Sequence, residues 1–470
     1  MRNEWLEWKL NRLSVYGVLF ILACLVRLAC FTGLVASDDI YYSYYGQLLS
    51  HGSYNLDFSS HFGSRIGVNV LVGLGYWMFG VSELTTILFP LLLSSLSVVL
   101  IVEIGSIIFS KRAGLLAGVL LLTFPVHVHI ATMLLPESIM DFWILMGVLA
   151  YLIGLKQDQW QAGVFSGLFF GIAYLSKESG FFASSGFVLC CLIFQKNWKL
   201  AFAIVSSLAF VGVAELSCYY LLTGDPMYRV HVVVSSQEAY FAASSTNEDI
   251  YWRLFKDYPY RMLVPNSNFG LHSIAVLLLS AAAAFVLPRR TFWMLFLWAA
   301  IPMLYLNFSS VSLTKYLPAP VQPRYITQVF LPLILLAAAV IDGWMLSGSR
   351  RLLIGTCGVF SIVVVVGVVS AFSMRGEGGG NVPAVYSLRG IVSQLESSHR
   401  QVVKFEGKKA DIWRFTMGIL TGPEPHSGEC VNDCLLVRPD ASGLPSVADM
   451  PPTDVKPVQQ PSLFYLKEAP

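Results

Sequence analysis

Ile66-Gly-Val-Asn-Val-Leu-Val-Gly-Leu-Gly-Tyr-Trp-Met-Phe79 is the stretch on which the architecture turns. It is apolar, but about 14 residues long and interrupted by Gly67, Gly73 and Gly75. A span of the ~30 Å hydrocarbon core takes about 20 helical residues, so this one is short for crossing. If it crosses, most of the basic clusters elsewhere in the chain are thrown outside. If it lies along the membrane surface, Arg2/Lys9/Arg12, Lys111/Arg112, Lys156, Lys196/Lys199, Arg289/Arg290 and Arg350/Arg351 all fall on one side. The positive-inside rule favours the second reading and makes that side cytoplasmic. The N-terminus is then inside and the C-terminal tail outside.

The rest of the chain sets this stretch in lipid. Of 470 residues, 55% are hydrophobic and 13% charged, about half the charge of a soluble domain, and the mean hydropathy is +0.63. Apolar runs near the length of a bilayer crossing recur at about Ser14–Val35, Ser82–Phe109, Ala113–Thr132, Pro136–Leu155, Gln161–Leu175 and Gly180–Phe194. Others follow at about Leu200–Leu222, Phe269–Leu287, Thr291–Phe308, Tyr325–Leu346 and Leu352–Phe372. The expected fold is an all-α polytopic membrane protein with about eleven crossings, because a helix satisfies its own backbone groups in lipid. Interfacial helices are expected on the outer face. The net charge of +2 is dispersed at span ends and gives no nucleic-acid patch. The first span has the charged flank and small-residue Val35-Ala-Ser37 end of a signal peptide, but its length and Arg27 favour a retained anchor.

Residues 1–373 form the expected membrane domain, with a first outer loop at 36–66 and a long one at 223–268. Residues 374–470 are a compositional break. They open on the glycine-rich 376–380 and show helical character over Pro383–Ser398 and alternation around Gln401–Glu406, then end in a proline-rich stretch. A small outer α/β appendage is expected there. Cys430 and Cys434 lie in this tail, where a disulfide needs an oxidising compartment. Cys24, Cys30, Cys190, Cys191, Cys218 and Cys357 lie in apolar spans and read as small core residues.

The chemistry gathers at the outer face. Asp38 and Asp39 follow the first span in Ala36-Ser-Asp-Asp-Ile-Tyr-Tyr-Ser-Tyr-Tyr45. They read either as helix-start acids or as a general base placed at a half-dry boundary. Arg65 is either a snorkelling anchor or a phosphate clamp, its guanidinium fork matching phosphate oxygens. Glu137 and Asp141 open a span behind Pro136, where they serve the helix start or face an acceptor. Lys177, Glu178 and Arg324 sit at outer turns, and the two cations break the charge bias the other clusters obey, which suggests an anionic ligand. Arg27, inside the first span, is structural or faces the polar cavity. His51, His61, His127 and His129 show no ligand spacing, so no metal is assigned, and a divalent ion stays possible but unsupported.

These landmarks, in order, resemble the GT-C membrane glycosyltransferases, nearest the protein O-mannosyltransferases and the lipid A aminoarabinose transferase. They run from Asp38-Asp39-Ile-Tyr-Tyr42 through Phe79-Gly-Val-Ser-Glu83, Leu135-Pro-Glu-Ser138 and Leu175-Ser-Lys-Glu-Ser-Gly180. Thr223-Gly-Asp-Pro-Met-Tyr228 and Pro323-Arg-Tyr325 complete the series. The resemblance implies one sugar carried on a polyprenyl phosphate and transferred, with inversion, on the non-cytoplasmic face. It implies catalysis at Asp38 with Asp39, and donor-phosphate binding at Arg65, Lys177 and Arg324. Acceptor or sugar contacts are expected from Glu137, Asp141, Glu178, Tyr41, Tyr42 and Tyr325. The chain departs from the aminoarabinose-transferase pattern at Tyr41, where that enzyme has an arginine, and at Ser64-Arg-Ile-Gly67, which replaces its Lys-Pro-Pro. Donor sugar and acceptor do not carry across those differences. The compact loops point to a bacterial plasma membrane. A secondary transporter or lipid flippase is the main alternative, although it would want charges near the midplane and related halves; a receptor or scaffold is the other.

Overall fold

The computed structural model describes residues 2–54, 56, 60–244, 262, 270–310, 312, 316–318, 322–347 and 349–375. In the tail it describes 388, 403–405, 416, 419–420, 435–439 and 445–449. The Cys430/Cys434 pair, the glycine run 376–380, most of Pro383–Ser398, the long loop beyond Ser244 and the proline-rich end lie outside these residues.

The helices run α1 Arg2–Ala29, α2 Asp38–Ser50, α3 His61–Ser64, α4 Ile66–Phe79, α5 Glu83–Ile108, α6 Lys111–Leu122 and α7 Pro125–Ile130. Then come α8 Pro136–Gln157, α9 Trp160–Ser176, α10 Ser179–Gln195, α11 Trp198–Thr223 and α12 Tyr228–Ser244. The last four are α13 Gly270–Val286, α14 Arg289–Phe308, α15 Thr327–Met345 and α16 Arg350–Ser373, with a 3-10 turn Pro323–Ile326 leading into α15. Six of these segments, α5, α8, α11, α14, α15 with its 3-10 turn and α16, are long and apolar enough to cross a membrane. Others, such as the apolar parts of α1, α4, α10 and α13, are shorter.

Burial separates the centre from the rim. α15, with its 3-10 turn, is 94% buried and is the axis of the bundle, whereas α16 is 17% buried and shows Ile354, Val359, Ile362, Val365 and Val369 to its surroundings. An outward apolar face of this size is stable against lipid and costly against water. Cys30, Cys190 and Cys191 are buried as expected, but Cys218 and Cys357 are exposed on rim helices and are not core residues.

The run expected as one span over Ala113–Thr132 is broken. α6 ends at Leu122, Phe124 turns extended, and Pro125 starts α7. Proline has no N–H to continue a ladder and pushes the preceding residue out of the helical region.

α4 takes the bounds read from the sequence, Ile66–Phe79. It begins and ends at the same end of the bundle. Its N-terminal Arg65 meets Glu178 at the α9–α10 turn, and the next helix starts at Glu83, whose Oε1 accepts the N–H of Leu34 just past α1 at 2.9 Å. Its close packing depends on missing side chains. A Cβ on Gly46 of α2 would stand 2.4 Å from Val72 of α4, and one on Gly67 would stand 2.7 Å from the Ser176 backbone nitrogen at the end of α9. Gly67 thus lets the first turn of α4 press onto the α9–α10 turn, which carries Arg65 to Lys177 and Glu178. The opposite end of the bundle holds Arg112 of α6 paired with Asp342 of α15, and Arg290 of α14 bonded to Gln195 of α10. Lys156 and Lys196 terminate helices at that end.

In the tail, β1 Val403–Phe405 pairs parallel with β2 Leu435–Pro439, which pairs antiparallel with β3 Pro445–Asp449. The tail also touches the bundle: Ile419 is 1% exposed and packs, with Leu420 beside it, on Leu34, Ala36 and Ile40.

Candidate active site

The loop before α2 fixes the two aspartates in different ways. Ala36 adopts a left-handed φ of 50°, unusual for a residue with a Cβ. The chain doubles back so that Asp39 accepts the N–H of Val35 at 2.7 Å and of Ser37 at 2.6 Å, one on each carboxylate oxygen. Ser37, at the N-cap position, makes no side-chain cap bond. Asp39 is fully buried, and burial, opposed by those backbone N–H groups, raises its pKa to about 6. Asp38 is turned the other way, 28% exposed, against Arg324 with Nη2 2.5 Å from Oδ2. Burial pushes the Asp38 carboxyl up, but Arg324, helped by Arg65, outweighs it and holds the group below the usual carboxylate range.

From Asp38 an ion-pair chain runs inward. The Arg324 Nε lies 3.6 Å from Glu137 Oε1, and Lys177 Nζ reaches the same oxygen at 2.5 Å. Lys177 also stands over the ring of Tyr325, 3.4 Å from its centroid. Charges this deep persist when opposite partners are close.

A second chain starts at Arg65. Its Nη2 and Nε meet both oxygens of Glu178 at 3.0 and 3.4 Å, and its Nη1 donates to the Tyr42 hydroxyl. Glu178 continues to Arg229 of α12 at 3.0 Å, and Arg229 to Glu215 of α11 at 2.7 Å. Arg229 also donates to the Tyr174 carbonyl at 2.9 Å, with its guanidinium 4.6 Å above the Tyr174 ring. Burial raises the Glu178 carboxyl, yet Arg65 and then Arg229 hold it well below the ordinary range. Arg65 is held above its ordinary value by Glu178 and Tyr42 against the opposing effect of burial. His61 lies near by; burial and Arg65 lower its imidazole to about 3, leaving it neutral.

The chains meet at a cavity of about 310 Å³. Arg65, Lys177, Glu178 and Arg229 line it together with Phe181, Phe182 and Val233. The α3 turn that delivers Arg65 is held by Asn69, which donates to the Phe62 and Gly63 carbonyls, and by Tyr219, which donates to the Ser64 carbonyl at 2.8 Å.

Asp38, Tyr42, Arg65, Glu137, Lys177, Glu178, Arg324 and Tyr325 therefore come together at one end of the bundle. Asp39 is occupied by backbone, and Tyr41 stacks on Phe62 at 4.7 Å. Asp141, one turn below Glu137, is fully buried and does not line the cavity. His51 is exposed, while His127 and His129 sit beside Arg27 and Thr32. Among the described residues no three His, Cys, Asp or Glu side chains cluster as ion ligands. Arg229 and Glu215 were not singled out from the sequence. Glu215 had a signal, being an acid inside an apolar run, and Arg229 had another, being a cation in the long stretch expected as an outer loop, where α12 forms.

Comparison with known proteins places the fold in a class. Residues 66–219 match the family profile described as dolichyl-phosphate-mannose-protein mannosyltransferase. The oligosaccharyltransferase of Archaeoglobus fulgidus superposes with a TM-score of 0.57 at 12% identity over 87% of this chain, which spans 64% of that protein. ArnT from Cupriavidus metallidurans superposes with a TM-score of 0.55 at 13% identity, over 87% of this chain and 84% of its own. The same ArnT bound to undecaprenyl phosphate gives 0.53 at 15% identity over the same shares. No curated protein matches the chain in sequence. The fold is that of the GT-C membrane glycosyltransferases. Within that class the chain is similar to the protein mannosyltransferases and to ArnT.

Proposed function

We propose that this protein moves a single sugar from a polyprenyl-phosphate donor to a lipid, glycan or protein acceptor on the non-cytoplasmic face of a bacterial plasma membrane. The observation that carries this reading is the cavity in which Arg65, Lys177 and Arg229 adjoin an aromatic and aliphatic wall, next to the Asp38–Arg324 pair. A phosphate on a greasy chain needs both parts: cations for the head and an apolar groove for the tail. ArnT bound to undecaprenyl phosphate and the oligosaccharyltransferase in complex with a dolichol-phosphate support it by likeness of fold.

In the reaction, Asp38 takes the proton of the acceptor hydroxyl or amine. The acceptor attacks the anomeric carbon from the side opposite the phosphate and the configuration inverts. The bond from that carbon to the phosphate oxygen breaks, its electron pair stays on the departing lipid phosphate, and Arg65 and Lys177 stabilise the charge that develops. Arg324 orients Asp38 and keeps it ionised. Asp39 acts as a positioning residue through the loop. Tyr325 and Glu137 hold Lys177 in place.

The topology that goes with this reading has about eleven crossings, the N-terminus inside, and the α/β tail outside with the site. Basic residues at the end opposite the cavity support that orientation. The test is purified protein in nanodiscs with a polyprenyl-phosphate sugar and candidate acceptors, followed by release of the free lipid phosphate. Release by the wild type and none by Asp38→Asn is the expected result. Movement of intact donor across proteoliposomes without cleavage would assign the site to transport instead.

A further inference from the structure

Arg65 is the cation best shaped for a phosphate, yet its fork is already occupied. Both Glu178 oxygens sit on it, and its remaining nitrogen is engaged by Tyr42. An anion cannot take the fork unless Glu178 lets go. Glu178 is only 23% exposed and does not let go into nothing, because a carboxylate largely out of water needs a partner. Glu178 has somewhere to go: its Oε1 already accepts from Arg229 Nε at 3.1 Å. Arg229 is 4% exposed and fixed by Glu215 at 2.7 Å and by the Tyr174 carbonyl, so it waits as a rigid second partner.

The charges also balance. Arg65, Lys177, Arg229 and Arg324 face Asp38, Glu137, Glu178 and Glu215, four cations and four carboxylates within two linked chains. Among the described residues, each cation of these two chains already has a carboxylate partner. Anion binding is an exchange of partners.

We infer that Glu178 is a built-in competitor for the lipid phosphate at Arg65, and that Arg229 is the positioning residue that receives Glu178 when the phosphate binds. The inference rests on the reading of Arg65 as the phosphate clamp. It gives the pair a role in turnover. The donor is a phosphodiester with one negative charge, and the departing product is a monoester with about −1.5 to −2 at pH 7. The product therefore grips the cations harder than the donor does. A carboxylate poised to return to Arg65 opposes that grip and helps expel the product.

The experiment measures binding of a polyprenyl monophosphate to the full-length protein in nanodiscs, together with steady-state transfer. Glu178→Gln keeps the shape of the side chain and removes its charge. It is expected to bind the monophosphate roughly tenfold tighter, with a lower donor KM, a lower kcat and stronger product inhibition. Arg229→Gln strands Glu178 on Arg65 and should weaken binding by roughly tenfold, while Arg229→Lys restores part of it. In the double variant no competitor is left to park, so loss of Arg229 costs far less affinity than it does beside Glu178, a non-additivity a merely structural Arg229 would not produce. If Glu178→Gln binds no tighter than wild type while Arg65→Ala binds more weakly, the competitor role is overturned. If Arg65→Ala binds as well as wild type, the clamp itself is wrong. Should Arg229→Gln fail to fold, Glu178→Gln still decides.

Discussion

Two arginines sit in this bundle under opposite rules, Arg27 with no exposure and Arg65 12% exposed. Arg27, within α1, is fully buried, and its hydrogen-bond partners are neutral: Ser94 Oγ at 2.8 Å, the Ser94 and Ala23 carbonyls at 3.1 and 3.2 Å, and His127 Nδ1 at 3.1 Å. Arg65 is paired with a carboxylate that has a second cation in reach. The first arrangement ties α1 to α5 and α7 through neutral acceptors, two of which, Ser94 and His127, also bond each other at 3.3 Å, so it holds the scaffold. The second is made of exchangeable ion pairs beside a cavity, so it can respond to a ligand. A buried charge is ambiguous by itself; its partners' alternatives decide what it does.

The comparison is easiest to break with Asp38→Asn, at the outer end of the exchangeable region. It should lower transfer by about 10²–10⁴-fold while folded yield stays near wild type; near-normal turnover would remove Asp38 from the role of base. Arg65→Ala comes next. Losing charge-assisted bonds of about 1.5–3 kcal/mol should raise donor KM by roughly one to two orders of magnitude, read from transfer kinetics, with a far smaller effect on melting.

Arg27→Ala should show the reverse pattern. Loss of its bonds to Ser94, Ala23 and His127 should cost about 1–3 kcal/mol of stability, seen as a lower Tm in detergent, while surviving protein keeps its donor KM. An Arg27→Ala enzyme that melts normally but binds donor poorly would erase the distinction. Gly67→Ala sharpens it from the backbone side. Its Cβ would collide with the end of α9, so the turn that carries Arg65 should be pushed away from the cavity and donor KM should rise several-fold with little change in kcat.

The smallest effect belongs to pH. The Asp39 carboxyl, raised by burial from 3.8 to about 6, favours folding in its protonated form. Its contribution is complete below 3.8 and lost as pH rises through about 6. Tm of the wild type should therefore decline across that interval relative to Asp39→Asn, which has no charge to titrate there. Parallel profiles for the two would show that Asp39 does not carry this dependence.

Much of this was legible in the sequence for a definite reason. A 14-residue apolar run between an acid pair and a long span, set against the run of basic clusters, marked a helix short for a crossing, and α4 takes its bounds. The same bias exposed Lys177 and Arg324 as exceptions, and both reached the site. Partners were a different matter. Nothing in the local pattern says that Asp39 turns back to Val35 and Ser37, or that Glu178 lies between two arginines rather than facing an acceptor. Those pairings depend on helix-to-helix approach, in particular at Gly67. The break at Pro125 was marked by a proline but hidden by the uniform apolarity of its neighbours. Glu215 was overlooked because a single acid barely changes the mean hydropathy of its window.

The seat of Ile419 against Leu34, Ala36 and Ile40 has a practical reach. The bend before Asp38 is roofed by a residue nearly four hundred positions away in the chain, so the tail is masonry for the candidate site. Trimming the protein ahead of residue 419 to ease crystallisation would uncover that bend, and a partner that took hold of the tail would be pulling on the same hinge.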